Sequence, residues 1–181
     1  MVRKKKPDYY ESVFELVVNL NSERDPKKLL SAIVDEVARV TGTKACSLML
    51  MTSDKKVLLH LIASGLSEWY LRKGPVDISS DISEVLAGRP VAVYDATSDE
   101  RVLYREQAKQ EGIASMLSVP MKLKGEVIGL LRVYTGIPYR FTEDDIQFAR
   151  IIANLAAVAL ERVKVCDSIQ QDYHALLHDV Q

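Results

Sequence analysis

Cysteine and histidine are the side chains here that bond covalently or hold metals most readily, and this chain has two of the first and three of the second. A thiol reacts as its thiolate, which needs an exposed, electropositive setting. Cys46 instead lies in the apolar run Ala45 to Met51, the context of a small core residue, and Cys166 lies in an uninterrupted helical tail. Nothing pairs them at metal or redox spacing, and no disulfide is expected. His174 and His178 stand four apart and share one helix face, but no third ligand cluster accompanies them, so no metal site is expected. His60, between Leu59 and Leu61, reads as a hydrogen-bonded or edge histidine of a strand. Reversible binding is left. Trp69, Tyr94, Asp95, Arg101, Tyr104, Arg132 and Tyr134 combine apolar area with polar tips and with guanidinium groups able to pair a carboxylate or phosphate. They are the candidate ligand-binding residues. The alternative is that they merely close a core, with Asp95 and Arg101 as a structural pair.

The elements that must position these residues follow from hydrophobic period. Tyr10, Val13, Phe14, Val17 and Leu20 recur at helical steps and predict an amphipathic helix with one apolar stripe. A second helix is expected from the N-cap Asp25 and Pro26 to Gly42, burying Leu29, Leu30, Ile33, Val34, Val37 and Val40. The period then switches to strands at Ala45 to Met51 and Val57 to Ala63, joined by Ser53-Asp54-Lys55-Lys56. Residues 65 to 112 are irregular: a brief helix capped by Asp81, a short strand at Val91 to Tyr94, and a helix capped by Ser98 or Asp99 that stops near Gly112.

A hairpin follows. Leu117, Val119, Met121 and Leu123 alternate with Ser118, Pro120, Lys122 and Lys124, predicting a strand buried on one side, whereas Val127 to Val133 is apolar on both faces and must be covered twice. After Thr142, a further N-cap with acids in the first turn, no Gly or Pro appears before Gln181, which permits a helix on the order of 50 to 60 Å.

With 48% apolar and 27% charged residues, the 181-residue chain has the composition of one globular domain plus an appendage. A net charge of −1 argues against a protein built to grip nucleic acid. The basic run Arg3 to Lys6 reads as a solvated terminus. No apolar run is long enough to span a membrane or serve as a signal peptide, and a cytoplasmic location is expected.

The motifs, in their order, resemble those of the GAF domain family. Gly88-Arg89-Pro90-Val91 leading to Tyr94-Asp95, the segment Ser98-Asp99-Glu100-Arg101, the hairpin from Gly112 to Pro120 with Gly125-Glu126-Val127-Ile128-Gly129, and Phe141-Thr142-Glu143-Asp144-Asp145 carry the likeness, which covers residues 9 to 163. It implies an α+β, α/β/α layered fold like that of GAF and PAS domains. A central mixed, mostly antiparallel sheet of five or six strands has helices on one face, an irregular ligand-face segment on the other, and a long C-terminal helix. Residues 1 to 8 would be a basic N-terminus and 164 to 181 a helical extension, a coiled-coil linker to an output domain.

The same resemblance sorts the chemistry. Cyclic-nucleotide binders of the family carry an Asn-Lys-Phe-Asp-Glu constellation, but Tyr134-Thr135 stands where Asn-Lys is sought and Ile146 follows Asp145 where Glu is needed. Bilin binders use a ligand-face Cys, often beside His, and residues 65 to 115 contain neither. Neither cofactor is expected, and the ligand is unknown. The family's enzymatic branch, free methionine sulfoxide reduction, needs cysteines around the pocket, and these are misplaced; no enzymatic activity is expected.

In the tail, Ile152, Ala156, Ala159, Val163, Cys166, Gln170, Tyr173, Leu177 and Val180 form an imperfect heptad seam. It predicts a homodimer through the first and last helices, although the alanines fit equally against helices of the same chain. The expected function is a regulatory sensor module that binds a small molecule and transmits its state through dimerising helices to an output domain such as a histidine kinase. The alternative is a structural dimerisation module with a filled pocket. His178-Asp179 is too short a match for a phosphoacceptor site.

Overall fold

The computed structural model describes residues 8 to 178 except 24, 53 and 78 to 81, with the backbone alone for Pro26, Asp77 and residues 163 to 178. Cys166, His174 and His178, the later seam positions, the Asp81 cap and the Arg3 to Lys6 run therefore lie outside the described side chains.

Helix α1 (Tyr9–Ser22) is capped by Asp8, and α2 (Pro26–Thr41) by Asp25, whose carboxylate accepts from the backbone N–H groups of Lys27 and Lys28. Gly42 ends α2 in the left-handed conformation, returning its N–H to Ala38 and Arg39, as its position predicts. Strands β1 (Ala45–Met51) and β2 (Val57–Ser64) form the expected hairpin. Short pieces follow: α3 (Glu68–Leu71), β3 (Val76–Asp77), α4 (Ser83–Leu86), β4 (Val91–Val93) and α5 (Arg105–Glu111). The last of these starts at Arg105 after Tyr104 at its N-cap, later than expected, because Asp95 and Asp99 spend their carboxylates on the turns before it, at Thr97, Ser98 and Arg101. Strands β5 (Ser115–Leu123) and β6 (Glu126–Thr135) and the 36-residue α6 (Glu143–His178) complete the chain. At about 1.5 Å per residue α6 is roughly 54 Å long.

The six-stranded sheet runs β3-β2-β1-β6-β5-β4, every described pairing antiparallel. On one face α1, α2 and α6 bury a core that includes Leu16, Ile33, Val37, Leu131, Phe148 and Ala156. On the other, the short pieces form a roof over a second core around Met49, Leu58, Tyr70, Val85, Leu130 and Tyr134. Strand β6 is central and covered on both sides, as its two-faced apolar pattern requires.

Three expectations are corrected. Strand β5 is buried on both faces from Ser115 to Met121; its polar alternation does not mark a solvent face, because Ser118 lies under the roof and accepts from Arg132. The α1 stripe divides: Leu16 is buried and Tyr9, Val13 and Leu20 pack inward, whereas Tyr10 is 92% exposed, Phe14 67% and Val18 47%. The first seam positions, Ile152, Ala156 and Ala159, are consumed by the chain's own core, which leaves Ile151 and Val158 as the large exposed apolar residues among the described side chains of α6.

The root of α6 is tied to α1. Thr142 and Asp145 exchange hydrogen bonds in a capping box, N–H of Asp145 to Oγ1 of Thr142 and N–H of Thr142 to Oδ2 of Asp145. The same carboxylate accepts from the phenols of Tyr9 and Tyr139. Burial alone would raise the Asp145 pKa, but these donors outweigh it and hold it below the usual range. A depressed carboxylate contributes stability that is present above its unfolded pKa near 3.9 and lost as pH falls through the lower folded value. Asp145→Asn should therefore lower stability at pH 7 by about 1 to 2 kcal/mol and flatten the acid limb below pH 4, measured by urea unfolding at both pH values.

Candidate functional site

Beneath the roof lies a cavity of about 40 Å³, bordered by Tyr70, Lys73, Arg101, Tyr104, Ser118 and Arg132 and by aliphatic side chains of α4, β4 and β5. Strand alternation sends Arg132 and Ser118, direct cross-strand partners, to this face, where the Arg132 Nε donates to Ser118 Oγ at 2.8 Å. The stretch after α3 brings Lys73 down from the roof. Its Nζ lies 3.8 Å from the centre of the Tyr70 ring, 3.0 Å from His60 Nε2 and 3.3 Å from the Tyr70 carbonyl. Tyr104 closes the edge by donating its hydroxyl to the Pro75 carbonyl at 2.8 Å.

The electrostatics of this face are unusual. Burial, then the charges of Lys73 and Arg132, push the His60 pKa down to about 3, so the ring is neutral. With Nε2 accepting from Lys73, the proton sits on Nδ1, which is buried and unpartnered. Burial and then Arg132 lower Lys73 to about 8. Between pH 8 and 10.4 the folded state has shed a proton that the unfolded chain keeps, so stability should rise with pH across that window. Lys73→Met should abolish the rise, as read from urea midpoints at pH 7 and pH 9.5.

Of the residues singled out from the sequence, Arg101, Tyr104 and Arg132 reach the cavity. The other four do not. Trp69 is half exposed on the outer side of α3, and Tyr94 lies against Arg140, 4.7 Å from ring centre to guanidinium carbon. Asp95 binds Thr97 and Ser98. Its expected pairing with Arg101 is replaced by Asp99, 2.6 Å from the guanidinium. Tyr134 faces the roof side but is wholly buried, its hydroxyl 3.0 Å from Ser47 Oγ and its ring edge-on to Tyr70. Lys73 and Ser118 were missed. Ser118 carried a signal, since a serine opposite an arginine on adjacent strands shares that arginine's face; Lys73 carried none, because its direction depends on how the irregular segment folds back.

On the helix face, a cleft of about 400 Å³ opens between the end of α2 and the root of α6, lined by Val40, Lys44, Thr135, Tyr139 and Phe141 among others. Cys46 is buried in the core of that face, and burial, with the Asp35 charge, pushes its thiol pKa up; it does not supply a thiolate at neutral pH.

The GAF domain family model matches residues 25–160, most of the chain. This chain belongs to the GAF family. No curated protein sequence matches it. Among solved structures, the GAF domain of a phosphoenolpyruvate-protein phosphotransferase from Coxiella burnetii superposes with a TM-score of 0.78 at 17% identity, covering 89% of this chain and 97% of that one. A domain of a putative two-component sensor histidine kinase from Sinorhizobium meliloti 1021 gives 0.68 at 21%, covering 82% and 99%. Free methionine-R-sulfoxide reductase from Neisseria meningitidis, solved with its substrate, gives 0.72 at 17%, covering 87% and 91%. At these identities the superpositions establish the GAF fold. The family match ends near the point where α6 leaves the domain body, and α1 precedes it.

Proposed function

We propose that this GAF domain is a cytoplasmic regulatory sensor module. A small molecule under the roof shifts the balance between two arrangements of α1 and α6 in a homodimer, and α6 passes that state to an output domain such as a histidine kinase. The observation that carries this reading is the double role of β6. Arg132 borders the cavity, while Val133, the next residue, packs in the helix-side core with Phe148 and Ala149 of α6. A change in the cavity thus reaches the helix layer through one peptide unit, although a ligand shifts the output only by its differential affinity for the two arrangements.

The dimer surface is supported by the exposed row Tyr10, Phe14, Val17 and Val18 on α1 with Ile151 and Val158 on α6, more apolar area than a monomer's surface gains by displaying. Sedimentation should give a dimer mass for the intact chain. Phe14→Asp should weaken the dimer at least 100-fold without changing the unfolding midpoint of the monomer. A monomer mass for the intact chain at 100 μM would remove the transmission half of the reading. Native mass spectrometry of protein purified from cells tests the ligand half by the mass of any bound molecule.

A second reading, a structural dimerisation module without a ligand, is favoured by the small size of the cavity. The two separate on Ser118→Leu, which fills the cavity: a sensor loses its response, and a structural module keeps its dimer and its output unchanged.

A further inference from the structure

The charges under the roof do not balance within the described residues. Lys73 and Arg132 both face the cavity, and among the described residues neither has a carboxylate within ion-pair distance; ion pairs elsewhere, such as Arg72 with Glu68, Lys124 with Glu161 and Arg39 with Glu36, involve at least one largely exposed side chain. Buried or half-buried cations are ordinarily paired, because the lost hydration must be replaced. Lys73 instead rests on a neutral imidazole, a carbonyl and an aromatic face, and Arg132 on the hydroxyl of Ser118.

Among the described residues, the other groups facing them supply no anion in contact. Glu111 acts on Lys73 from a distance, with its oxygens bound to the N–H and hydroxyl of Ser67. Tyr70 and Tyr134 are phenols whose pKa values burial raises, and the Tyr104 hydroxyl donates a hydrogen bond to the Pro75 carbonyl. Arg101, the third cation at the cavity, is neutralised by Asp99. The site is rich in donors and poor in acceptors, and a cavity of about 40 Å³ has room for roughly three water-sized atoms.

Resting on the reading of this face as the ligand site, we propose that the cavity takes a small monoanion of three or four heavy atoms, a short carboxylate or an inorganic oxyanion, held between Lys73 and Arg132. Arg132 offers its planar fork to two oxygens. Lys73 supplies a point charge that an anion would hold protonated, so affinity should fall as pH rises past 8.

The test compares anions with neutral isosteres on the intact chain. Calorimetry and thermal unfolding are run at constant ionic strength in a bulky-anion background with formate, acetate, nitrate and phosphate, and with formamide and acetamide. Saturable binding of formate, acetate or nitrate is expected, with the amides at least 10-fold weaker and affinity reduced at least 10-fold at pH 9.5. Lys73→Met, at a partly exposed roof position, should lose at least 10-fold in acetate affinity while its circular dichroism stays that of the parent. Arg132→Gln is informative only where it folds, and the isostere comparison needs no variant.

A response to carboxylates alone identifies a short organic acid as the ligand class, and an equal response to nitrate an inorganic oxyanion; both support the proposal. Equal affinity for amides and anions, or unchanged affinity in Lys73→Met, overturns it. Amide binding without anion binding overturns the charge assignment and leaves the sensor reading standing, whereas the absence of any bound molecule, including in native mass spectra from cells, removes both.

Discussion

Gly129→Ala is expected to cost about 3 kcal/mol or more, the upper end of overpacking penalties, although it adds a single methyl group. Gly129 sits in β6 opposite Leu50 of β1 and Met121 of β5, where a Cβ would meet the Met49 carbonyl oxygen at 2.1 Å and the Met121 terminal methyl at 2.8 Å. The methionine can swing away; the carbonyl cannot move without breaking the central β1–β6 ladder. The pairing slips at this point, with Met121 opposite Gly129 and Lys122 opposite Val127, so Ile128 is the extra residue of a bulge. For a chain of this size the cost corresponds to a fall in Tm of roughly 6 to 12 °C. Thermal and urea unfolding check it. A loss under 1 kcal/mol would mean that the central strands do not approach as closely as described.

Phe148→Ala should be comparably severe, about 3 to 5 kcal/mol, and it should act on transmission as well as stability. Phe148 is almost fully buried in the first turns of α6 and stacks on Tyr9 with ring centres 4.4 Å apart and planes inclined by 12°. Its removal opens a cavity among Val37, Leu117 and Val133 and strips the support from the N-terminal end of α1. Tyr9→Phe keeps the stack but loses the hydrogen bond to Asp145, and should cost only about 1 kcal/mol. Hydrogen exchange should show α1 opening before the sheet in Phe148→Ala, and the dimer should weaken with it, because α1 presents Tyr10 and Phe14. Unchanged α1 protection in that variant would show that the helix is held by α2 alone.

The recurrence of apolar residues, with Asp25, Gly42 and Thr142 as caps and Lys124-Gly125 as a turn, was enough to place both N-terminal helices, both hairpins, the long last helix and the doubly covered central strand. These are local matters: a cap needs only the next three N–H groups, and a period of 2 or 3.6 is visible in any window. The family was legible from the ordered motifs, Gly88 to Asp95, Ser98 to Arg101, the hairpin from Gly112 to Gly129 and Phe141 to Asp145, and the layering followed from that resemblance. The cavity was legible only in part. Arg101, Tyr104 and Arg132, singled out for their polar tips and guanidinium groups, border it, but Trp69 and Tyr94 turned outward, and Lys73 was invisible because short elements without period take their direction from what they pack on.

One bulge and one helical seam show most directly what only tertiary structure decides. By alternation His60 and Ile62 share a face. The slip between Leu48 and Met49 leaves Leu61 unpaired, sending Ile62 to the helix-side core and His60 to Lys73 under the roof. Likewise the heptad through Ile152, Ala156 and Ala159 is equally a seam for a second chain or a face for helices of the same chain, and packing awarded it to the chain's own core of helices and sheet. A pattern in sequence says that a face will be buried; which surface buries it depends on contacts between residues far apart in the chain, and those exist only once the chain has folded.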